Sequence, residues 1–249
     1  MRQSLSFFPP AITPDLYFWD MLPYAVPGLL TFVVGMVLGI ISLVRATRRE
    51  RFGYYVSFGV TCIAFGALGL VISLRALIQD TTTLLRWNTY IYPFVVLLSP
   101  ASTHLINYIL DKKFQRAVAF AATLNWLFTL SALFSIFTGR AFTGDFLQYS
   151  FGKFPVAALP LKLWGAGSAL TFITIGLPLF YLYKKRNSFA GKHLLFFGHS
   201  LLLILTISNL PSFAGFPLFP GATFSFIPMC IMAYGVFNSD FRNLKDFFF

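Results

Sequence analysis

Long apolar runs separated by short polar segments dominate the pattern of this chain. A helix needs about 20 apolar residues to cross the roughly 30 Å hydrocarbon core of a bilayer, and seven runs reach that length. We expect one all-α, seven-transmembrane helical bundle, since a closed β-barrel would show weaker, alternating segments. The predicted spans are Tyr24–Val44, Tyr54–Leu74, Trp87–Leu110, Ala117–Phe137, Leu161–Tyr183, His193–Phe213 and Phe216–Phe237.

These runs divide the chain into three parts. In residues 1–23, Pro9, Pro10 and Pro14 interrupt the sequence before any apolar core forms, which predicts an extracytoplasmic or interfacial segment and no cleaved signal peptide. Residues 24–237 form the bundle, and residues 238–249 a short cytoplasmic tail. The longest connection, Thr138–Pro160, alternates aromatic with small or polar residues, a pattern typical of a β-hairpin.

Composition supports a place in the membrane. The 249 residues are 57% hydrophobic and only 11% charged, whereas soluble domains average about 25% charged residues. One soluble core cannot hide such an excess of apolar side chains, because its surface must still be polar. The sequence therefore predicts an integral membrane protein, with the lipid bilayer as its first partner.

Basic residues predict the orientation. Most of the 19 lysines and arginines follow the first, third, fifth and seventh runs, and positive residues in short loops stay cytoplasmic. We expect the N-terminus outside, the C-terminus inside, and a multi-pass location in the cell inner (cytoplasmic) membrane. The net charge of +11 is then a topology signal, and no nucleic-acid partner is expected. The clustered residues are Arg45, Arg48, Arg49, Arg51, Lys112, Lys113, Arg116, Lys184, Lys185, Arg186, Lys192, Arg242 and Lys245.

Residues suited to catalysis are scarce. The chain has three histidines, and no carboxylate lies deep inside a run. His193 and His199 are six residues apart, which places them on different helical faces. Nothing resembles a nucleophile with an orienting base. We expect no enzymatic activity, no catalytic residue, no metal site and no cofactor.

Polar side chains near the outer ends of apolar helices are the candidate ligand-binding residues. Polar groups inside a membrane usually face the bundle and often mark functional sites. In the alternative interpretation, the arginines snorkel to lipid headgroups, the tyrosines form an interfacial belt, and the asparagine satisfies backbone freed by Pro211. The candidates are Arg75, Arg86, Asn88, Tyr90, Tyr92, Tyr149, Trp164 and Asn209.

Prolines and glycines predict breaks and close contacts. Pro93 and Pro100 should break the third run, and Pro178 and Pro228 the fifth and seventh, at places where a bundle can bend between two states. Glycines in the second run, Gly59, Gly66 and Gly69, should let another helix approach closely.

Three segments carry a family resemblance: "FAGFPLFPGATFSFIPMCIMAYGVFNSDFRN", "ISLVRATRRERFGYYVSFGVTCIAFGALG" and "YSFGKFPVAALPLKLW". They resemble the seven-transmembrane sensory region at the N-terminus of bacterial histidine kinases, which also precedes cyclases and PP2C-type phosphatases. The last span of that region ends in a triplet similar to Ala233, Tyr234 and Gly235. The resemblance implies a sensor that detects an unknown ligand or membrane stimulus and passes it inward. The residues expected to transmit the signal are Pro228, Tyr234, Gly235 and Asp240.

The tail "NSDFRNLKDFFF" is too short for a signalling enzyme. We therefore expect the output, a kinase, cyclase or phosphatase, in a longer chain or on a partner, and a homodimer would fit the same role. Two alternatives stay open. A small transporter or permease would need a polar path through the midplane, where few polar residues occur. A membrane assembly subunit would use the Phe-rich, lipid-facing surface.

Overall fold

The computed structural model describes residues 14–47, 52–109, 115–169, 190–209, 216 and 218–238, and most of these are helical. We number the helical residues 159–169 as α6, and a 3₁₀ turn, Gly221–Phe224, precedes the last helix. The other elements are α1 (Pro14–Ala46), α2 (Phe52–Leu77), α3 (Thr81–Val95), α4 (Leu98–Ile109), α5 (Gln115–Phe137), β1 (Phe142–Tyr149), β2 (Gly152–Ala157), α7 (Ala190–Ile207) and α8 (Phe226–Asn238).

Three of these helices are long and apolar enough to cross a membrane. They comprise Phe18–Ala46 in α1, Phe52–Leu77 and Arg116–Phe137, and they coincide with the first, second and fourth predicted runs. By length and composition the chain is therefore a helical membrane protein. The apolar parts of α7 and α8 are shorter.

The third predicted run is two helices. α3 begins at Thr81, six residues before the predicted start, because the Asp80 carboxylate caps it and accepts a hydrogen bond from the Thr83 backbone N–H at 2.7 Å. α3 ends at Val95 and α4 begins at Leu98. Pro100 has no N–H to donate to the Val96 carbonyl four residues earlier, so the helical ladder fails there. The break predicted at Pro100 is confirmed, whereas Pro93, also expected to break the run, lies within α3, which continues to Val95.

Helix in the seventh run begins ten residues later than predicted. Phe216 is not helical, and regular helix begins only at Phe226, after the 3₁₀ turn that follows Pro220. Pro228 was expected to interrupt this span, which is wrong. It lies in the first turn of α8, where the backbone N–H needs no partner within the helix.

The fifth and sixth predicted runs are described in part. Helix covers residues 159–169 of the fifth, and Pro178 with the rest of that run lies outside the described residues. α7 ends at Ile207 in a turn at residues 208–209, and the predicted end at Phe213 also lies outside them.

The predicted hairpin in Thr138–Pro160 is confirmed. β1 and β2 pair antiparallel, with Tyr149 opposite Gly152 at the turn and an irregular register between Phe142 and Phe146. Gly152 has φ 141°, and a Cβ there would lie 2.5 Å from the backbone oxygen of Arg75. Only glycine fits this contact, so the hairpin rests directly on the end of α2.

α2 is the centre of the bundle. The apolar window of α2 is 78% buried, against 28% for those of α1 and α5. A Cβ at Gly69 would lie 2.6 Å from the Gly28 oxygen of α1, and one at Gly35 would lie 2.5 Å from the Cys62 oxygen of α2. The predicted close approach of a helix to the glycines of α2 is therefore confirmed, and that helix is α1.

Candidate functional site

A buried arginine lies near the hairpin end of α2. The Arg75 side chain is 1% exposed. Its Nε and Nη2 donate to Asn88 Oδ1 at 3.1 and 2.9 Å, and Nη2 also donates to the Tyr92 hydroxyl at 2.7 Å. The guanidinium carbon lies 4.7 Å from the centre of the Phe154 ring. Arg75 therefore does not snorkel outward, and three predicted site residues form one cluster.

The phase of α3 decides which polar side chains join this cluster. Asn88 and Tyr92 are four residues apart and therefore share one face of the helix. The Asn88 amide nitrogen donates to the Leu84 carbonyl at 2.8 Å, and this bond leaves the Asn88 oxygen directed at Arg75. Arg86 and Tyr90, two residues out of step, share the opposite face. Both are exposed, Tyr90 by 70%. The structure does not bring these two predicted residues into the site.

Aromatic rings of the hairpin cover the cluster. Tyr149 stacks on Phe151 with ring centres 5.1 Å apart and meets Phe154 edge-on at 5.4 Å. Phe151 and Phe154 are buried. Partial burial raises the pKa of the Tyr149 phenol. Tyr149 thus belongs to the cover formed by the hairpin and does not line the cavity described next.

A cavity of about 600 Å³ lies beside the cluster, a volume within the range of small-molecule sites. Three predicted residues, Tyr92, Trp164 and Asn209, line it. Its wall is mostly apolar and comes from α2, α3, α4, α6, α7 and the end of β2. The other lining residues are Leu68, Val95, Leu98, Ala157, Leu161, Lys162, Gly165, Ala166, Ser168, Ala169, Thr206 and Ile207.

A hydrogen bond joins Trp164 in the cavity wall to the backbone at the break between α3 and α4. The Val96 carbonyl, which Pro100 cannot engage, accepts hydrogen bonds from the Trp164 indole N–H at 3.2 Å and from the Thr129 hydroxyl at 3.3 Å. Sequence reasoning missed this acceptor because it is a backbone atom. Pro100 was the available signal, since a proline exposes the carbonyl four residues before it.

Asn209 connects the end of α7 to the 3₁₀ turn. It is buried, and its Oδ1 accepts from the Ala222 backbone N–H at 3.4 Å. The neighbouring Ser208 hydroxyl accepts from Gly221 N–H at 3.0 Å. Asn209 therefore lines the cavity and also holds the segment that leads into α8.

The residues predicted to transmit a signal lie on α8. Tyr234 is 62% exposed, Gly235 is buried, and Asp240 lies outside the described residues. One turn further, the Phe237 ring meets Phe58 of α2 edge-on at 6.0 Å and lies 4.4 Å from the Arg45 guanidinium carbon of α1. The end of α8 therefore contacts α1 and α2 together.

Ser168 is a polar residue that sequence reasoning missed. It is buried at 7% exposure, and its hydroxyl has no hydrogen-bond partner among the described residues. Within the stretch "GAGSAL", the sequence alone indicates only another small residue suited to helix packing. Within the described ranges no three His, Cys, Asp or Glu side chains come together as metal ligands would.

Comparisons of the chain with models of protein families, with curated proteins and with solved structures found no match. The fold and the site define a helical membrane protein with a ligand-sized apolar cavity next to a buried arginine.

Proposed function

We propose that this protein is a membrane-embedded sensory input module, a seven-span bundle with its N-terminus outside and its C-terminus in the cytoplasm. It detects a ligand or membrane stimulus in the cavity and passes the change to a cytoplasmic output domain or partner. This function agrees with the resemblance to the sensory regions of bacterial histidine kinases, and it assigns the chain no catalysis of its own.

The observation that carries the proposal is the shared wall between the cavity and the helix break. Trp164 lines the cavity and also donates to the Val96 carbonyl at the break, and Tyr92 lines it while accepting from Arg75. An occupant that moves either ring changes hydrogen bonds at the junction of α3 and α4. A ligand shifts such an equilibrium only by its different affinity for the two states.

α8 offers the route inward. Its first residue, Phe226, donates its backbone N–H to the Thr31 hydroxyl of α1 at 3.2 Å, and its end packs against Arg45 and Phe58. Asn209 ties the cavity wall to the turn before α8. A change in the cavity therefore reaches the end of the bundle that we assign to the cytoplasm, where a kinase, cyclase or phosphatase, in cis or in trans, would read it.

Exposed apolar side chains support a place in the lipid. Large hydrophobic residues lie exposed along most of α1 and α5, as on helices that face acyl chains rather than water. We assign the chain to the inner membrane on this basis together with its basic loops. The exposed residues on α1 and α5 include Val26, Leu30, Val33, Val37, Ile40, Val44, Phe120, Leu127, Leu130, Phe134 and Phe137.

The described polar residues in the middle of the bundle give a permease no support. The Asn125 amide donates to the Thr103 hydroxyl at 2.8 Å, and the Thr61 hydroxyl donates to the Ser57 carbonyl at 2.7 Å. These described polar groups are each hydrogen-bonded within the helices, and none of them lines the cavity.

Distance measurements between α1 and α8 test the sensory function. With Cys62 and Cys230 replaced by Ala, spin labels are placed at Val44→Cys and Tyr234→Cys, two exposed positions near the helix ends. Adding dodecanoate to the chain in nanodiscs should shift the distance by about 1–2 Å, the usual size of a signalling helix shift.

The matched control fills the cavity with Gly165→Trp, since an added Cβ at Gly165 meets nothing within 4 Å. The filled protein should show no response to dodecanoate. Identical distances with and without dodecanoate in the unfilled protein would count against a sensor, and solute flux through proteoliposomes would favour the permease.

A further inference from the structure

The charged residue of the described cavity wall, Lys162, lies at the end of the cavity nearest the hairpin. Lys162 lies five residues after the end of β2, is exposed, and lines the cavity. No aspartate or glutamate occurs among the described residues of the wall. Lysine offers three donors and no acceptor, so this end is suited to an acceptor-rich or anionic group.

Arg75 adds positive charge from behind the wall. Its guanidinium donates to the hydroxyl of Tyr92, which lines the cavity. Because Arg75 is buried, protein and lipid screen its charge far less than water would. Two cations therefore act on the same end of the cavity, and a cationic ligand is disfavoured there.

Most of the rest of the wall is apolar. Thr206 and Asn209 also line it, and their side chains are hydrogen-bonded to the Leu202 carbonyl and the Ala222 N–H. Leu68, Val95 and Leu98 supply the surface for a hydrophobic body. Ser168 lies six residues after Lys162 on α6, roughly 9 Å along the helix axis. Its buried hydroxyl has no partner among the described residues, and a buried hydroxyl without a hydrogen bond is unfavourable. An occupant with a polar atom at that depth would satisfy it.

We propose that the cavity binds a lipophilic anion, with its charged head at Lys162, its chain along Leu68, Val95 and Leu98, and a hydrogen-bonding atom on the chain next to Ser168. A long-chain carboxylate with a mid-chain hydroxyl or carbonyl has this chemistry. The assignment deepens the proposed sensory function, on which its role as a stimulus rests. The same head-group chemistry can come from a free acid or from an anionic phospholipid.

Fluorescence of Trp164 measures occupancy directly. The full chain, with Trp19, Trp87 and Trp126 replaced by Phe, is placed in nanodiscs of zwitterionic lipid, so that Trp164 is the single tryptophan. Brominated chains quench tryptophan on contact. Brominated dodecanoate, the matching alcohol and the matching trimethylammonium compound are then titrated.

We expect saturable quenching, with the carboxylate about tenfold tighter than the alcohol because charge-assisted hydrogen bonds are the stronger ones. The ammonium compound should bind more weakly than the alcohol. Lys162→Gln should remove the preference for the carboxylate, whereas Arg140→Gln, which removes the same charge from an exposed residue outside the cavity wall, should keep it.

Ser168→Ala tests the second contact. It should weaken a mid-chain hydroxylated carboxylate about fivefold, the effect of one neutral hydrogen bond, and leave the plain carboxylate unchanged. Displacement of dodecanoate by phosphatidylglycerol in the nanodisc identifies the bilayer lipid as the anion, and failure to displace it identifies the free acid.

Equal binding of the three head groups would overturn the assignment, as would an undiminished carboxylate preference in Lys162→Gln. Quenching that rises linearly without saturation would also overturn it, because that result reports only partition into lipid. Selective binding without any change in the distance between α1 and α8 refutes the sensor and leaves the ligand class standing. A change in that distance without any head-group preference refutes the ligand class and leaves the sensor standing.

Discussion

The cluster around Arg75 allows a quantitative test of how the bundle holds a buried charge. Asn88 Oδ1 accepts two of the three hydrogen bonds that Arg75 donates within the cluster. Asn88→Leu removes both and leaves a guanidinium that is 1% exposed without its main acceptor. Removing one partner of a buried charge costs about 3–5 kcal/mol, so we expect a loss of stability of that size.

Removing the charge should partly restore stability. Arg75→Met alone leaves the Asn88 oxygen and the Tyr92 hydroxyl without their donor, at about 1–3 kcal/mol for each buried group. The double variant Arg75→Met, Asn88→Leu removes the charge together with its main acceptor and should be less destabilised than Asn88→Leu alone. The resulting coupling energy should be about 2 kcal/mol or more, as is found for residues in direct contact.

The assay is reversible unfolding by SDS in mixed micelles, read by circular dichroism, with the free energy of unfolding compared across the four members of the cycle. Arg86→Met is the matched control, because Arg86 is exposed on α3, and its effect should stay within about 0.5 kcal/mol. Additive single effects, or an Asn88→Leu variant as stable as the control, would refute the reasoning.

Three further outcomes follow from single contacts. Gly69→Ala should destabilise by about 1–3 kcal/mol, because its Cβ would meet a backbone oxygen at 2.6 Å, whereas Gly165→Ala should be neutral or stabilising in the same assay. Hydrogen bonds from the Thr83 hydroxyl and backbone N–H lower the pKa of Asp80, so its cap on α3 is fully present above the ordinary aspartate pKa and is lost as the pH falls through the lowered value. The protection of amide hydrogens at the start of α3, after correction for the intrinsic pH dependence of exchange, should therefore fall in acid. Protection that is independent of pH in the wild type, as in Asp80→Asn, would contradict this. Trp164→Phe keeps an aromatic ring, though a smaller one, and loses the indole donor. It should cost about 0.5–1.5 kcal/mol and broaden the spin-label distances across the break between α3 and α4. Unchanged distance distributions would show that the bond does not hold the break.

The length of apolar runs was enough to predict α1, α2 and α5, since a bilayer sets the number of residues that a span needs. Alternation of aromatic and small residues was enough for the hairpin. Rotational phase was harder to read. Four candidate residues occur at every second position of α3: Arg86, Asn88, Tyr90 and Tyr92. Only packing against α2 decides that Asn88 and Tyr92 are the buried ones. Large apolar residues such as Trp87 and Phe94 also lie on the exposed side of α3, so apolar positions alone do not identify its buried face.

The contacts at the break and in the cavity were beyond sequence reasoning for a different reason. The Val96 carbonyl has no side-chain signature, and its donors lie 33 and 68 residues away in the chain. Ser168 becomes notable only because its neighbours leave its hydroxyl unpartnered in the described part of the chain. Both depend on long-range geometry that local composition does not encode.

The glycine contacts between α1 and α2 have a mechanical consequence. At Gly28 and Gly69, and at Gly35 and Gly66, the backbones of the two helices meet, so turning or sliding one helix against the other brings backbone atoms into a clash there. We therefore expect α1 and α2 to move together, because these contacts resist a piston movement of α1 past α2. In the proposed sensor, the inward signal would then be a displacement of α8 relative to the α1–α2 pair, and labels on α1 and on α2 should both report it.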